Sequence, residues 1–321
     1  MTLEAMDRQK AEKLISGAED GMAPISINFG ALPEELSGLD AARFVVLPIP
    51  YDLTSSYVTG SRRGPRAIIE ASMNMELYDH DLDEMPARFG IHTCAELGVD
   101  ASGPERMVAS VESTVKGLLE AGKIVCALGG DHSITCGTVK AYAEFHRGLS
   151  VLQLDAHADL RDVFQGTRYS HACAMRRVRE TVARAAQVGI RSLSAEEASF
   201  VRREGIRLHT AAKWRGDDDQ IEEILSELGE GPVYVTCDLD VLDPAFMPAT
   251  GTPEPGGLNW WQLIRLFDAV CHRRSVVGFD VVELIPMPGT VAPEFLAAKL
   301  AYKLMGLICR TKPDGARAPG R

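Results

Sequence analysis

Asp155, His157 and Asp159 stand in the stretch DAHAD, directly after the apolar run Ser150-Val-Leu-Gln-Leu154. A run of that kind reads as a buried parallel strand, and open α/β sheets place their ligands at the carboxyl ends of such strands. While the backbone stays extended, alternate side chains point the same way, so the three groups can converge as the strand opens into a loop. Two carboxylates and an imidazole at this spacing repel one another or change protonation unless a cation lies between them, and hard divalent metals such as Mn²⁺ favour this mixture of donors. One such stretch alone could be a solvated acidic loop. Two more strand ends of the same character argue otherwise: Gly129-Gly-Asp-His132-Ser133 after an apolar run at 124–128, and Thr236-Cys-Asp238-Leu-Asp240 after one at 233–236. Together His132, Asp155, His157, Asp159, Asp238 and Asp240 offer two imidazoles and four carboxylates. That is about what two octahedral-leaning divalent ions need, if carboxylates bridge them and water fills the remaining positions.

The elements that must position these groups alternate from residue 44 onward. Strands are expected from Phe44 onward, stopped by Pro48 and Pro50, and at 124–128, 151–154, 188–190, 233–236 and 276–282. Helical spacing of apolar residues predicts helices at 66–71, 107–119, from Ser133 toward Glu144, about 172–185, 196–203, 219–228, 259–272 and 294–309. Repeated strand and helix of this kind imply a mostly parallel sheet covered on both faces, with right-handed crossovers. Residues 1–40, with a helix near 5–16 and then Pro24, Pro33 and Gly38, read as an N-terminal extension. Residues 41–310 read as a single catalytic domain, and 311–321 as a polar, flexible tail. The loop with Gly60, Gly64 and Pro65 lacks the spacing of a Walker loop or a GxGxxG fingerprint, which excludes a nucleotide site there.

Composition narrows the partners. Hydrophobic residues at 45% and charged residues at 25% of 321 are ordinary globular values. A formal net charge of -11 disfavours nucleic acid and anionic membranes and suits a cationic ligand. The seven cysteines include no close-spaced pair and read as buried thiols in a reducing compartment. No apolar stretch near the N-terminus is long enough for a signal peptide or a membrane span, so a cytoplasmic location is expected.

From Val45 to Leu307 the chain resembles the ureohydrolases, the agmatinases and arginases. The resemblance rests on GGDHS, DAHAD, SHAC at 170–173, DLDVLDPAFMPATGTPEPGG from Asp238, and the DVVELIP run containing Glu283. It implies an arginase-like three-layer α/β/α sandwich, two Mn²⁺ per subunit and a homotrimer or homohexamer. Carried over by motif, His132, Asp155, Asp159 and Asp238 would hold one ion. His157, Asp155, Asp238 and Asp240 would hold the other, with Asp155 and Asp238 bridging.

The implied chemistry is hydrolysis of a guanidinium, whose resonance-stabilised carbon is a poor electrophile for neutral water. Two metals sharing a water bring its pKa toward neutrality. Asp159 would accept a hydrogen bond from the attacking oxygen and aim it, and Glu283 would pair with the guanidinium N–H groups. His171 of SHAC would protonate the departing amine, and Thr252 would offer its hydroxyl to a substrate nitrogen. Four aspartates, Glu283, hydroxide and two divalent ions sum to roughly −2, which suits a dication such as agmatine. Arginases bind an α-carboxylate with asparagine and serine after the DAH motif. Here Arg161 stands at that asparagine position and no SGN segment precedes His171, so the agmatinase branch is expected. Arg161 or Arg168 could instead receive a carboxylate, as in guanidinobutyrate hydrolysis. Aminopropylagmatine and arginine remain alternative substrates, and a non-catalytic regulator is the alternative from outside enzymology.

Overall fold

A computed structural model describes residues 5–19 and 27–310, and in it the apolar runs pair into one sheet. Its strands are β1 (Phe44–Ile49), β2 (Ile91–Thr93), β3 (Ile124–Gly129), β4 (Ser150–Leu154), β5 (Arg184–Ile190), β6 (His209–Thr210), β7 (Val233–Asp238) and β8 (Val276–Val282). They lie in the order β2-β1-β3-β8-β7-β4-β5-β6, every pair parallel. Side chains alternate across the sheet, so each strand feeds two cores. In β4, Leu152 and Leu154 join one apolar cluster and Val151 the other; β3 divides likewise, Cys126 and Leu128 against Val125 and Ala127. Helices Gly64–Ser72, Asp218–Leu228, Trp260–Arg273 and Ala292–Arg310 bury Ile68, Ile224, Phe267 and Leu304 in the first cluster. Helices Pro104–Glu120, Thr135–Phe145 and Ala174–Thr181 bury Val111, Val139 and Val178 in the second. The result is the expected α/β/α sandwich, with a sheet that is parallel throughout.

Parallel strands end on the same edge, and the four central ones, β3, β8, β7 and β4, are immediate neighbours. His132, Glu283, Asp238 and the DAHAD stretch each follow or close one of these four strands. Register does the fine alignment. Leu154 pairs with Cys237, and Val281 pairs with both Cys237 and Leu128. Asp155 and Asp238, each one residue beyond a paired position, therefore emerge side by side.

Some elements differ from expectation. The helix expected over 172–185 stops at Thr181, and Arg184–Ile190 is a seven-residue strand instead. Ala185 and Ala186 are good helix formers in isolation, but here they pair with Val151 and Leu152, and tertiary burial overrides propensity. The edge strands β2 and β6 were not expected; at three and two residues they are too short to show a period. The region read as an N-terminal extension contributes Phe29, Leu32 and Leu36 to the core, with the Asn28 side chain bridging the Leu32 N–H and C=O. The flexible-tail expectation falls on 311–321, outside the described residues. Among the described residues no helix is long and apolar enough to cross a membrane.

The turn that delivers His132 depends on a glycine. Gly130 passes so close to β1 that a Cβ there would lie 2.0 Å from the Tyr51 carbonyl oxygen, while Gly130 N–H and Asp131 N–H donate to the Ile49 and Tyr51 carbonyls. Gly130→Ala is therefore expected to destabilise the fold by about 3 kcal/mol, the upper end of overpacking costs. Thermal denaturation checks this, and an unchanged midpoint would show that the turn relaxes freely.

Candidate metal centre and active site

Three of the expected ligands meet at His132. Its ring is 1% exposed, and Nδ1 lies 3.1 Å from Asp155 Oδ2, 3.1 Å from Asp159 Oδ2 and 3.5 Å from Asp238 Oδ2. Beside this group, His157 Nδ1 lies 2.9 Å from Asp240 Oδ2 and 3.6 Å from Asp155 Oδ1. Two triads suited to a cation result, His132/Asp155/Asp238 and Asp155/His157/Asp240, sharing Asp155.

Backbone contacts fix the carboxylates. Asp155 Oδ1 accepts from His157 N–H, and Oδ2 from the Gln153 side-chain amide at 2.6 Å. Asp238 Oδ1 accepts from Asp240 N–H, and Asp240 Oδ1 from Ala156 N–H, lacing β4 to β7 above the sheet. Asp159 and Glu283 both have positive φ, 52° and 70°. Such strain in non-glycine residues is tolerated where the surroundings dictate the conformation. For Glu283 those surroundings are two bonds: its N–H donates to the Gly130 carbonyl, and its Oε1 accepts from His132 N–H.

The arrangement calls for positive charge. His132 Nε2 is 2.8 Å from Thr236 Oγ1, and that hydroxyl donates to Asp280 Oδ1 at 2.6 Å. A carboxylate only accepts, so the Thr236 proton is spent and Nε2–H must be the donor to Oγ1. Nδ1 then faces the three carboxylate oxygens and either carries a second proton toward them or offers its lone pair to a cation between them. Burial opposes a charge on His132, but Asp155, Asp159 and Asp238 outweigh it and hold the imidazole well above its usual range. Burial opposed by Asp240 and Asp155 leaves His157 pushed up to about 12. Burial and then Asp155 raise the Asp159 carboxyl to about 6, and burial and then Asp240 and Asp155 raise Asp238 well above the usual carboxylate range. Burial and then Asp131 also raise Glu283. Asp155 goes the other way: burial would raise it, but its contacts with His132 and His157 pull it down. Divalent cations would replace the protons this cage otherwise demands, so the donors present fit a metal pair.

Above the cage opens a cavity of about 270 Å³, lined by His132, His157, Asp159, Asp238, Asp240 and Glu283 at its base. His171, Thr252 and Arg161 line its walls, so every site residue expected from the sequence borders or underlies the same space. His171 N–H donates to Thr54 Oγ1, and its ring meets Phe164 edge-on. Thr252 takes part only as wall. Arg161 is turned aside: its guanidinium lies over the Phe164 ring at 4.9 Å, with Nε 4.0 Å from Glu197 Oε2.

Sequence reasoning missed several residues that hold the site. Asp280 sits wholly buried in β8, taking bonds from Thr236, Tyr234 and Thr135; the available signal was a lone acid inside the apolar run Val-Val-Gly-Phe-Asp-Val-Val. Glu197 closes a capping box on Ala195–Glu204 and also accepts Leu160 N–H, tying the loop after DAHAD to that helix. Gln153 and Thr54 gave no signal, because their partners are distant in sequence or common in any strand.

A parallel sandwich with an acid-and-imidazole cage at its carboxyl edge, and a polar cavity opening above it, defines the class of metal-assisted hydrolases that act on small polar substrates. The profile of the arginase family matches residues 42–306, and by that match the chain belongs to the arginase family and is a ureohydrolase acting on guanidino compounds. It is 41% identical to N(1)-aminopropylagmatine ureohydrolase of Synechocystis over 85% of this chain and 91% of that protein. It is 36% identical to agmatinase of Pyrococcus horikoshii, covering 84% and 93% respectively. The crystal structure of agmatine ureohydrolase of Thermoplasma volcanium superposes with a TM-score of 0.78 at 31% identity, over 91% of this chain and 97% of that one.

Thr236→Val removes the acceptor that orients His132. It is expected to weaken Mn²⁺ affinity about 10- to 100-fold, with the far-ultraviolet circular dichroism retained. Metal titration by calorimetry checks it, and unchanged affinity would show that His132 needs no support from β7.

Proposed function

We propose that the chain hydrolyses an aminoalkylguanidine, agmatine foremost, to urea and the free amine, here putrescine. The observation that carries the reading is the charge inventory of the cavity. Its base holds Asp159, Asp238, Asp240 and Glu283, while its one lining arginine, Arg161, is already answered by Glu197. Among the described residues that line the cavity a substrate carboxylate would find no unpaired arginine or lysine, whereas a second positive group meets a surplus of acid.

In this reading His132, Asp155, Asp159 and Asp238 hold one ion and Asp155, His157, Asp238 and Asp240 the other, manganese being the metal proposed. When bound, such a pair supplies Lewis acidity that brings the pKa of a shared water toward neutrality. Asp159, on a backbone with positive φ, would accept a hydrogen bond from the attacking water and aim its oxygen at the guanidinium carbon. Glu283 orients the guanidinium; its Oε1 is anchored by His132 N–H, and its Oε2 lies toward Gly251 in the cavity wall. The carbon–nitrogen bond to the alkyl chain breaks as His171 delivers a proton to that nitrogen, and Thr252 offers its hydroxyl to a substrate nitrogen. The products are neutral urea and an ammonium.

N(1)-aminopropylagmatine is the second reading. Relatives at 41% identity carry that activity in their names, and the cavity wall includes Tyr57, 78% exposed at the rim, past which a longer chain could run. A cytoplasmic homotrimer or homohexamer completes the proposal.

Urea release with added Mn²⁺ should be found with agmatine or N(1)-aminopropylagmatine, and be at least about 100-fold lower in kcat/KM with arginine or guanidinobutyrate. Faster turnover of a carboxylate-bearing substrate would contradict the charge reading. Glu283→Gln should lower kcat about 100-fold while keeping the metal content, and equal activity would remove Glu283 from substrate binding.

A further inference from the structure

Asp131 lies in the GGDHS turn, is fully buried and takes no part in either metal triad. Its Oδ1 accepts from the N–H and hydroxyl of Ser133. Its Oδ2 accepts from both groups of a residue far away in sequence, Thr54 N–H at 2.9 Å and Thr54 Oγ1–H at 2.8 Å. Thr54 Oγ1 in turn accepts from His171 N–H at 2.9 Å and lies 3.3 Å from His171 Nδ1. We propose that Asp131 and Thr54 form a positioning relay that fixes the tautomer and placement of His171, making its Nε2 the atom that handles the substrate proton. This rests on the role given to His171 under Proposed function.

The supply of donor protons decides the tautomer. The Thr54 hydroxyl has one proton, and Asp131 can only accept it. Thr54 Oγ1 therefore has nothing to donate to His171 and can only accept from the ring, which favours the proton on Nδ1. Ser170 Oγ, also 3.3 Å from Nδ1, can accept from it in the same way. The other ring nitrogen is then a free acceptor when the ring is neutral and a donor when it is protonated. Among the described residues Nε2 has one weak polar neighbour, Ser56 Oγ at 3.5 Å, and both His171 and Ser56 line the cavity. The backbone bond from His171 N–H to the same oxygen fixes the distance from the ring to the cage, because Asp131 directly precedes His132. The relay thus ties the proton donor to the turn that carries a metal ligand.

The test is a double-mutant cycle on the manganese-loaded enzyme. Thr54→Val keeps the side-chain shape and removes the hydroxyl; it should lower kcat about tenfold with KM changed less than about twofold and metal content unchanged. Thr54→Ser should restore kcat. His171→Asn alone should lower kcat, and adding Thr54→Val to it should change nothing further. An equal loss in both backgrounds, or a loss explained by lower metal content, would overturn the relay while leaving His171 as the proton donor. If His171→Asn itself kept full kcat, the assigned role of His171 and the relay would fall together.

Discussion

Like charge at close range is the constraint on which this structure turns. Asp155, Asp159 and Asp238 all present oxygens within 3.5 Å of one buried nitrogen, and Asp240 stands beside His157 next to them. Two carboxylates about 4 Å apart repel by roughly 4 kcal/mol at the effective dielectric of a protein, and burial adds to that cost. Among the described residues the ion-pair contacts of these four carboxylates are to His132 and His157, with no arginine or lysine side chain. A cage so built is at rest only with cations inside it, and the raised carboxyls of Asp159 and Asp238 express the same demand in protons.

The fold provides for this demand with few means. Four adjacent parallel strands deliver every cage residue to one edge, and the register of β4 against β7 sets Asp155 beside Asp238. A second layer of bonds then removes rotational freedom. Asp280 and Thr236 lock the His132 ring, Gln153 holds Asp155, and backbone N–H groups hold Asp238 and Asp240. Each of these groups is held by at least one hydrogen bond within the protein, and preorganisation of that kind is what electrostatic catalysis needs. The walls of the cavity are built differently. The rim at Tyr57 and Val58 is exposed, in contrast to the buried base, and in the proposed reading it is where a longer substrate tail would run.

Much of this was legible in the chain. DAHAD, GGDHS and TCDLD each accompany a short apolar run, and the period-two acids of DAHAD and TCDLD mark the sheet edge and the carboxylates gathered there. The strand Arg184–Ile190 was partly hidden because alanines at its start carry a helical preference that only pairing with β4 reverses. Asp280 and Thr236 could be read as an acid and a hydroxyl in buried strands, but their partnership with His132 exists only once β7 and β8 lie side by side. Arg161 shows the same limit. Its position after DAHAD suggested contact with substrate, whereas Glu197 and Phe164, far along the chain, take up its charge and its face.

The most direct measurement of the central claim is anomalous diffraction at the manganese edge from crystals of the protein grown with Mn²⁺. Two peaks per subunit are expected, one beside His132 Nδ1 and one beside His157 Nδ1, with Asp155 touching both. A cage without manganese, or with a single ion that Asp155 does not contact, would contradict the account.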